Sequence, residues 1–256
     1  MSGEQHSGGL GRPAQATRRT DGAGGTRQDP SHRRIQELLL SACLSPDHDA
    51  CLAAVSAARA MGCTPAEIAD VHVPAVAREM GALWCEDGLS FAAVTIGSSR
   101  LQAMLRVLGP DWSADHAGPA DAATILVAVP AESTHSLGGL VVAGQLRRAG
   151  YSVRMLLGAT PARMAPQFQN AHFDAVFLSC AEGGTLESLR KIVEFVRGQG
   201  DARIPVVLGG NILSTQPDAA QWIGADLATC DTDEALLFCG LTRTRRKAPE
   251  RTAPEL

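Results

Sequence analysis

The stretch TILVAVPAESTHSLGGLVVAGQLRRAGYSVRMLL, residues 124–157, changes its hydrophobic pattern three times. Thr124 to Pro130 is a short, nearly continuous apolar run, the signature of a strand buried on both faces. Ala131 to Ser136 is small and polar, and from about 137 to 149 the apolar positions recur at helical spacing. Tyr151–Leu156 is β-rich again. Strand, loop, helix and strand in that order form a βαβ unit, whose strands run parallel because the helix carries the chain back along the sheet.

Downstream the alternation continues. Ala175–Ser179, Ile204–Leu208 and a weaker Ala225–Cys230 read as strands, with helices near 161–170, 185–199, 214–222 and 232–240. Five strands, each followed by a helix, predict an α/β domain over 121–241 built on a doubly wound, five-stranded parallel sheet. Upstream, residues 31–109 read as helical. Ser45-Pro46 and Thr64-Pro65 each set a capping hydroxyl before a proline at the first helical position, and Glu67 completes a capping box with Thr64. Helices should therefore start near 46 and 65. Pro74 makes the run from 65 to 86 two helices or a kinked one. Gly88 and Ser90 stop and restart the chain ahead of Phe91, Val94, Leu101, Met104, Leu105 and Leu108, which completes a four- or five-helix bundle. Residues 110–120 read as a linker. Residues 1–30 and 242–256, rich in Gly, Pro, Thr and Arg, read as disordered basic tails.

Of the 256 residues, 45% are apolar, 20% charged and 4% aromatic, which excludes fibrous and wholly disordered classes. No apolar run approaches the roughly 20 residues of a membrane span and no signal-type h-region opens the chain, so a soluble, cytoplasmic protein is expected. The net charge of −4 is uneven: six Arg against three acids over 1–34, four Arg against ten acids over 35–115, eight bases against twelve acids over 121–241. An acidic body repels phosphate backbones, so little direct nucleic-acid binding is expected. The seven cysteines include no CxxC pair, and buried, reduced thiols are expected.

In doubly wound sheets, ligands sit at the carboxyl ends of the strands, which directs attention to the loops after Pro130, Ser179 and Leu208. The first, Ala131-Glu132-Ser133-Thr134-His135-Ser136, lacks GxGxxG, and Phe177-Leu178-Ser179-Cys180 lacks the acid of a phosphate-accepting receiver. A flavodoxin-like phosphate loop fits the Ser, Thr and Gly content but leaves His135 without a task. His135-x-x-Gly138 after the first strand, Ser179 ending the third, and Gly209-Gly210 ending the fourth together resemble the signature of flavodoxin-like cobalamin-binding domains, over about residues 121–241.

That resemblance implies a task for each residue. His135 becomes the lower axial ligand of cobalt, replacing the cofactor's own base, so that cobalamin (adenosylcobalamin or hydroxocobalamin) is held base-off and His-on. Ser179 and Thr185 hydrogen-bond the displaced nucleotide tail, and Gly209 and Gly210 leave room for it. Related domains orient the histidine with a carboxylate two residues earlier. Here that position is Ser133, with Glu132 one residue before it, and either can serve. In related bundles a Trp covers the upper corrin face, a role that falls to Trp84, but their Glu-His pair is replaced by Val94 and Thr95. Cys85 stands where B12-dependent light-sensing regulators have an upper histidine; thiolate ligation there would need a lowered pKa, and inert burial is expected.

The layout as a whole resembles the AerR/PpaA-type photosynthesis antirepressors and, more distantly, the B12-dependent light-sensing regulators. It implies a non-enzymatic photoreceptor or redox sensor in transcription regulation, acting as an antirepressor on a DNA-binding repressor of the CrtJ/PpsR kind. Two alternatives stay open: a corrinoid methyl carrier serving a methyltransferase, and a degenerate domain that binds no corrinoid and only mediates contacts.

Overall fold

The structure is a computed structural model and describes residues 30–47, 49–112, 122–133, 135–181, 186–199 and 203–241. The two tails beyond residues 30 and 241, and Thr185, lie outside the described residues. The first half is helical: α1 (Pro30–Leu44), α2 (Ala50–Ala60), α3 (Pro65–Glu67), a π-helical stretch Ile68–His72, α4 (Val73–Cys85) and α5 (Phe91–Leu108). The capping box forms as read, Glu67 N–H donating to Thr64 Oγ1 at 3.1 Å and Thr64 N–H to Glu67 Oε2 at 2.8 Å. Helical geometry persists through Pro74, and the five π-helical residues ahead of α4 absorb the misfit. The start expected near 46 moves to Ala50, because Ser45 and Asp47 each accept an amide two residues on, holding the chain in successive turns.

The second half forms β1 (Thr124–Pro130), α6 (Leu137–Arg148), β2 (Ser152–Ala159), α7 (Pro161–Asn170), β3 (Ala175–Ser179), α8 (Leu186–Arg197), β4 (Val206–Gly209), α9 (Ile212–Thr215), α10 (Ala219–Ile223), β5 (Leu227–Ala228) and α11 (Thr232–Phe238). The sheet is parallel throughout, in the order β2-β1-β3-β4-β5. The winding reverses between β1 and β3, which puts the topological switch point beside His135 and Ser179. The helix expected over 214–222 is two short ones, since Pro217 interrupts the run.

Alternate residues of the strands feed two cores. Ile125, Val127, Phe177 and Val207 pack under α6 and α11 with Ala143, Leu146, Ala235 and Leu236. Leu126, Ala128, Val176, Leu178, Val206 and Leu208 face α7, α8 and α10. The bundle has its own core, which continues into Leu140 and Val141 on the outer side of α6. Residues 110–112, read as the start of a linker, form a 3-10 turn whose Trp112 is buried against α6. Gly144 permits this: a Cβ there would stand 2.3 Å from Trp112 Nε1. No helix among the described residues is long and apolar enough to cross a membrane.

Candidate functional site

The β1–α6 loop is shaped at both ends. Strand pairing slips by one residue between Val129 and Pro130, and Ser133 N–H donates back to Pro130 O at 3.1 Å. At its far end Ser136 precedes α6, and its hydroxyl accepts from Gln102 Nε2 of α5 at 3.2 Å, so the bundle holds the loop. His135 projects from this loop as an exposed residue. The two candidates for its orienting partner differ. Glu132 Oε1 accepts from Ser188 Oγ of α8 at 2.9 Å, whereas Ser133 Oγ is buried with no hydrogen-bond partner among the described residues. A buried, unpaired hydroxyl costs about 1–3 kcal/mol, so it marks a place where a ligand would be stabilised.

Gly138, on the first turn of α6, faces Ser179: a Cβ on Gly138 would lie 3.3 Å from Ser179 Oγ. From there a cleft of about 250 Å³ runs between α6 and α11. Val127, Phe177 and Val207 make an apolar floor, and Ser179, Gly209, Gly210 and Thr229 to Thr232 make a polar rim at the strand ends. Gln145 of α6 accepts a hydrogen bond from the Thr232 hydroxyl, bridging the two helices across the cleft. Gly138, Ser179, Gly209 and Gly210 are thus brought together, with His135 on the loop leading into the cleft wall.

One sequence expectation changes, the burial of Cys85, and the geometry adds detail for the glycine pair and for Trp84. Gly209 and Gly210 clear space for the protein's own backbone: Cβ atoms there would stand 2.8 Å from Thr229 O and 2.2 Å from Cys180 O, and Gly210 has φ +105°. Cys85 is exposed at the end of α4 rather than buried, and so is Cys230; of the seven thiols only Cys43 and Cys180 are fully buried. Burial, with Cys51 adding to it against Arg100, pushes the Cys43 thiol up to about 12. Trp84 is 44% exposed, with Phe91, its ring 6.3 Å away, at 71%; it neither joins the bundle core nor lines the cleft.

Sequence reasoning missed the β5–α11 loop and the bundle's share of the cleft, Asp70, Pro74 and Arg78. The former had a readable signal. Asp231, three residues before Glu234, is an N-cap pattern, and its carboxylate accepts from the amides of Asp233 and Glu234. The bundle residues had none, since their approach to the cleft is a tertiary matter.

Among the described residues no cluster of three or more His, Cys, Asp or Glu side chains could hold a metal ion. One exposed imidazole suits the axial position of an ion already held by a macrocycle. The cleft's apolar floor and polar rim suit a ligand that inserts an aromatic base and carries polar linkage atoms at its mouth. A corrinoid with a displaced nucleotide tail has that character, and the residues present fit it.

The comparisons with known proteins agree. Residues 123–237 match the family model described as the B12 binding domain. The chain is 37% identical over 165 residues, 64% of its own length and 86% of the relative's, to the uncharacterised 20.5 kDa protein of the bchF-crtJ intergenic region of Rhodobacter capsulatus. Among solved structures it is similar in fold to the monomethylamine corrinoid protein of Methanosarcina barkeri, at a TM-score of 0.62 and 14% identity, covering 81% of this chain and 95% of that one. The chain therefore belongs to the B12-binding-domain proteins, in the group of the Rhodobacter bchF-crtJ intergenic protein.

Proposed function

We propose that the protein is a cobalamin-binding, light- or redox-responsive transcriptional regulator: an antirepressor that works through a DNA-binding repressor of the CrtJ/PpsR kind. One observation carries the cofactor half, the exposed His135 on the loop that enters the cleft wall at Gly138, with the apolar-floored cleft behind it. The regulatory half is supported by the relationship to a protein named for its place beside crtJ, and by an acidic body that disfavours direct DNA contact.

Cobalamin, when bound, supplies a cobalt centre whose upper ligand light can remove. The chain's own residues do the rest. His135 would hold the cobalt through a ring nitrogen. The buried Ser133 hydroxyl stands ready to hydrogen-bond what the loop receives, and Ser179 offers a second hydroxyl at the cleft rim. Trp84 and Phe91 present exposed aromatic surface from the bundle, and Trp84 is assigned to the upper face. Val94 and Thr95 lack the charged, hydrogen-bonding pair of related bundles, so the bundle holds an adenosyl group weakly. Light then acts by differential affinity, since a ligand shifts an equilibrium only by as much as it prefers one state.

The test is retention of cobalamin through gel filtration after mixing with adenosylcobalamin in darkness or under illumination. Retention should be greater after illumination, with Trp84→Ala narrowing the difference. Equal retention, or retention in darkness only, would contradict the light mechanism. A methyl carrier would retain the cofactor regardless of light and exchange methyl groups with a methyltransferase.

A further inference from the structure

The cleft between α6 and α11 is closed on one side by the bundle, through Asp70 of the π-helical stretch and Pro74 and Arg78 of α4. The charges along its wall are unequal in effect. Asp70 is ion-paired with Arg148, whose guanidinium also lies over the Trp112 ring at 4.6 Å. Asp231 accepts from the Asp233 and Glu234 amides at 2.8 and 3.1 Å, so its oxygens are engaged by the start of α11. Arg78, an exposed residue, makes no ion pair or hydrogen bond among the described residues. With both wall carboxylates engaged, Arg78 is the charged side chain of the wall whose donors are free among the described residues.

A guanidinium with free donors, facing a cleft with an apolar floor, is a receptor for a phosphate, which it can grip through two parallel N–H bonds. We propose that Arg78 pairs with the phosphodiester of the nucleotide tail of a cobalamin seated between α6 and α11. This rests on the cobalamin reading and adds to it a role for the bundle: the bundle reads the tail as well as covering the corrin.

The experiment measures, by equilibrium dialysis with absorbance detection, the affinity of the full chain for hydroxocobalamin and for cobinamide, the corrinoid that lacks the nucleotide tail. Arg78→Ala and Arg78→Lys are compared with the unaltered protein. One charge-assisted bond sets the expected size: Arg78→Ala should lose roughly tenfold for hydroxocobalamin and nothing for cobinamide, with Arg78→Lys recovering part of the loss. Raised salt should weaken hydroxocobalamin binding in the unaltered protein more than in Arg78→Ala. The melting temperature should not move, since Arg78 is exposed and unpaired. Unchanged hydroxocobalamin affinity in Arg78→Ala, or equal losses for both corrinoids, would overturn the assignment of Arg78 while leaving the cobalamin reading intact. Failure of the unaltered protein to bind hydroxocobalamin would remove both.

Discussion

Gly210 and Gly138 line the same cleft and answer to different constraints. At Gly210 the backbone has φ +105° and a Cβ would lie 2.2 Å from Cys180 O, so Gly210→Val forces the β3 and β4 strand ends apart. It should cost at least the ~1–3 kcal/mol of a strained backbone and lower the melting temperature before it says anything about a ligand. Gly138 is exposed, has ordinary helical geometry and meets only the Ser179 hydroxyl, at 3.3 Å. Gly138→Val should cost less than about 1 kcal/mol in a thermal melt yet weaken corrinoid binding by filling the cleft mouth. A variant at Gly210 that melts normally, or one at Gly138 that unfolds, would contradict this division. The sequence placed His135, Gly138, Ser179 and the Gly209-Gly210 pair at strand ends because apolar runs locate strands directly. It did not tell a glycine that admits a ligand from one that admits the chain's own carbonyls, since those carbonyls come from the residue after β3 and from the turn after β5.

Among the elements, the central strands β1 and β3, buried almost throughout, have the bounds read from the sequence, as expected where apolar character persists on both faces. The edge strand β5 shrinks to Leu227–Ala228, where a short ladder to β4 is supplemented by a side chain at its start. Asp226, with only 8% of its side chain exposed, accepts from Val206 N–H at 2.8 Å and from Arg197 at 2.7 Å, and also meets Arg203. Burial works to raise its carboxyl pKa, but the Val206 amide and the two arginines outweigh it and hold it below the ordinary carboxylate range. A carboxylate depressed in the folded state stabilises above its unfolded pKa, near 3.8, and that stabilisation is lost as pH falls through the lower folded value. Asp226→Asn should thus destabilise by about 2–4 kcal/mol at neutral pH, leaving the half-buried Arg197 with its bonds to the Ile204 and Gly224 carbonyls but without its ion pair. The gap between variant and unaltered protein in urea titrations should begin to narrow as the pH falls below 3.8. A gap independent of pH would show that packing, and not charge, holds β5 at the edge.

At the scale of the molecule, the bundle and the sheet domain meet along α6. Trp112 fills the space over Gly144, Arg148 pairs with Asp70, and Gln102 holds Ser136 beside the histidine loop. None of these contacts has a periodic trace in the sequence, which is why 110–112 read as linker and why Arg78 went unseen. They give the bundle a grip on the His135 loop and on the cleft, the two places where a cofactor would make itself felt. What defines the site is whether His135 gives a nitrogen to cobalt. The direct measurement is the electron paramagnetic resonance spectrum of cob(II)alamin bound to protein labelled with nitrogen-15 in its histidines. With His135 as lower ligand, the cobalt lines should split into doublets from nitrogen-15, and His135→Ala should lose them while keeping its fold, because the residue is exposed. Triplets from the cofactor's own nitrogen-14 base, or lines with no nitrogen splitting, would contradict the assignment.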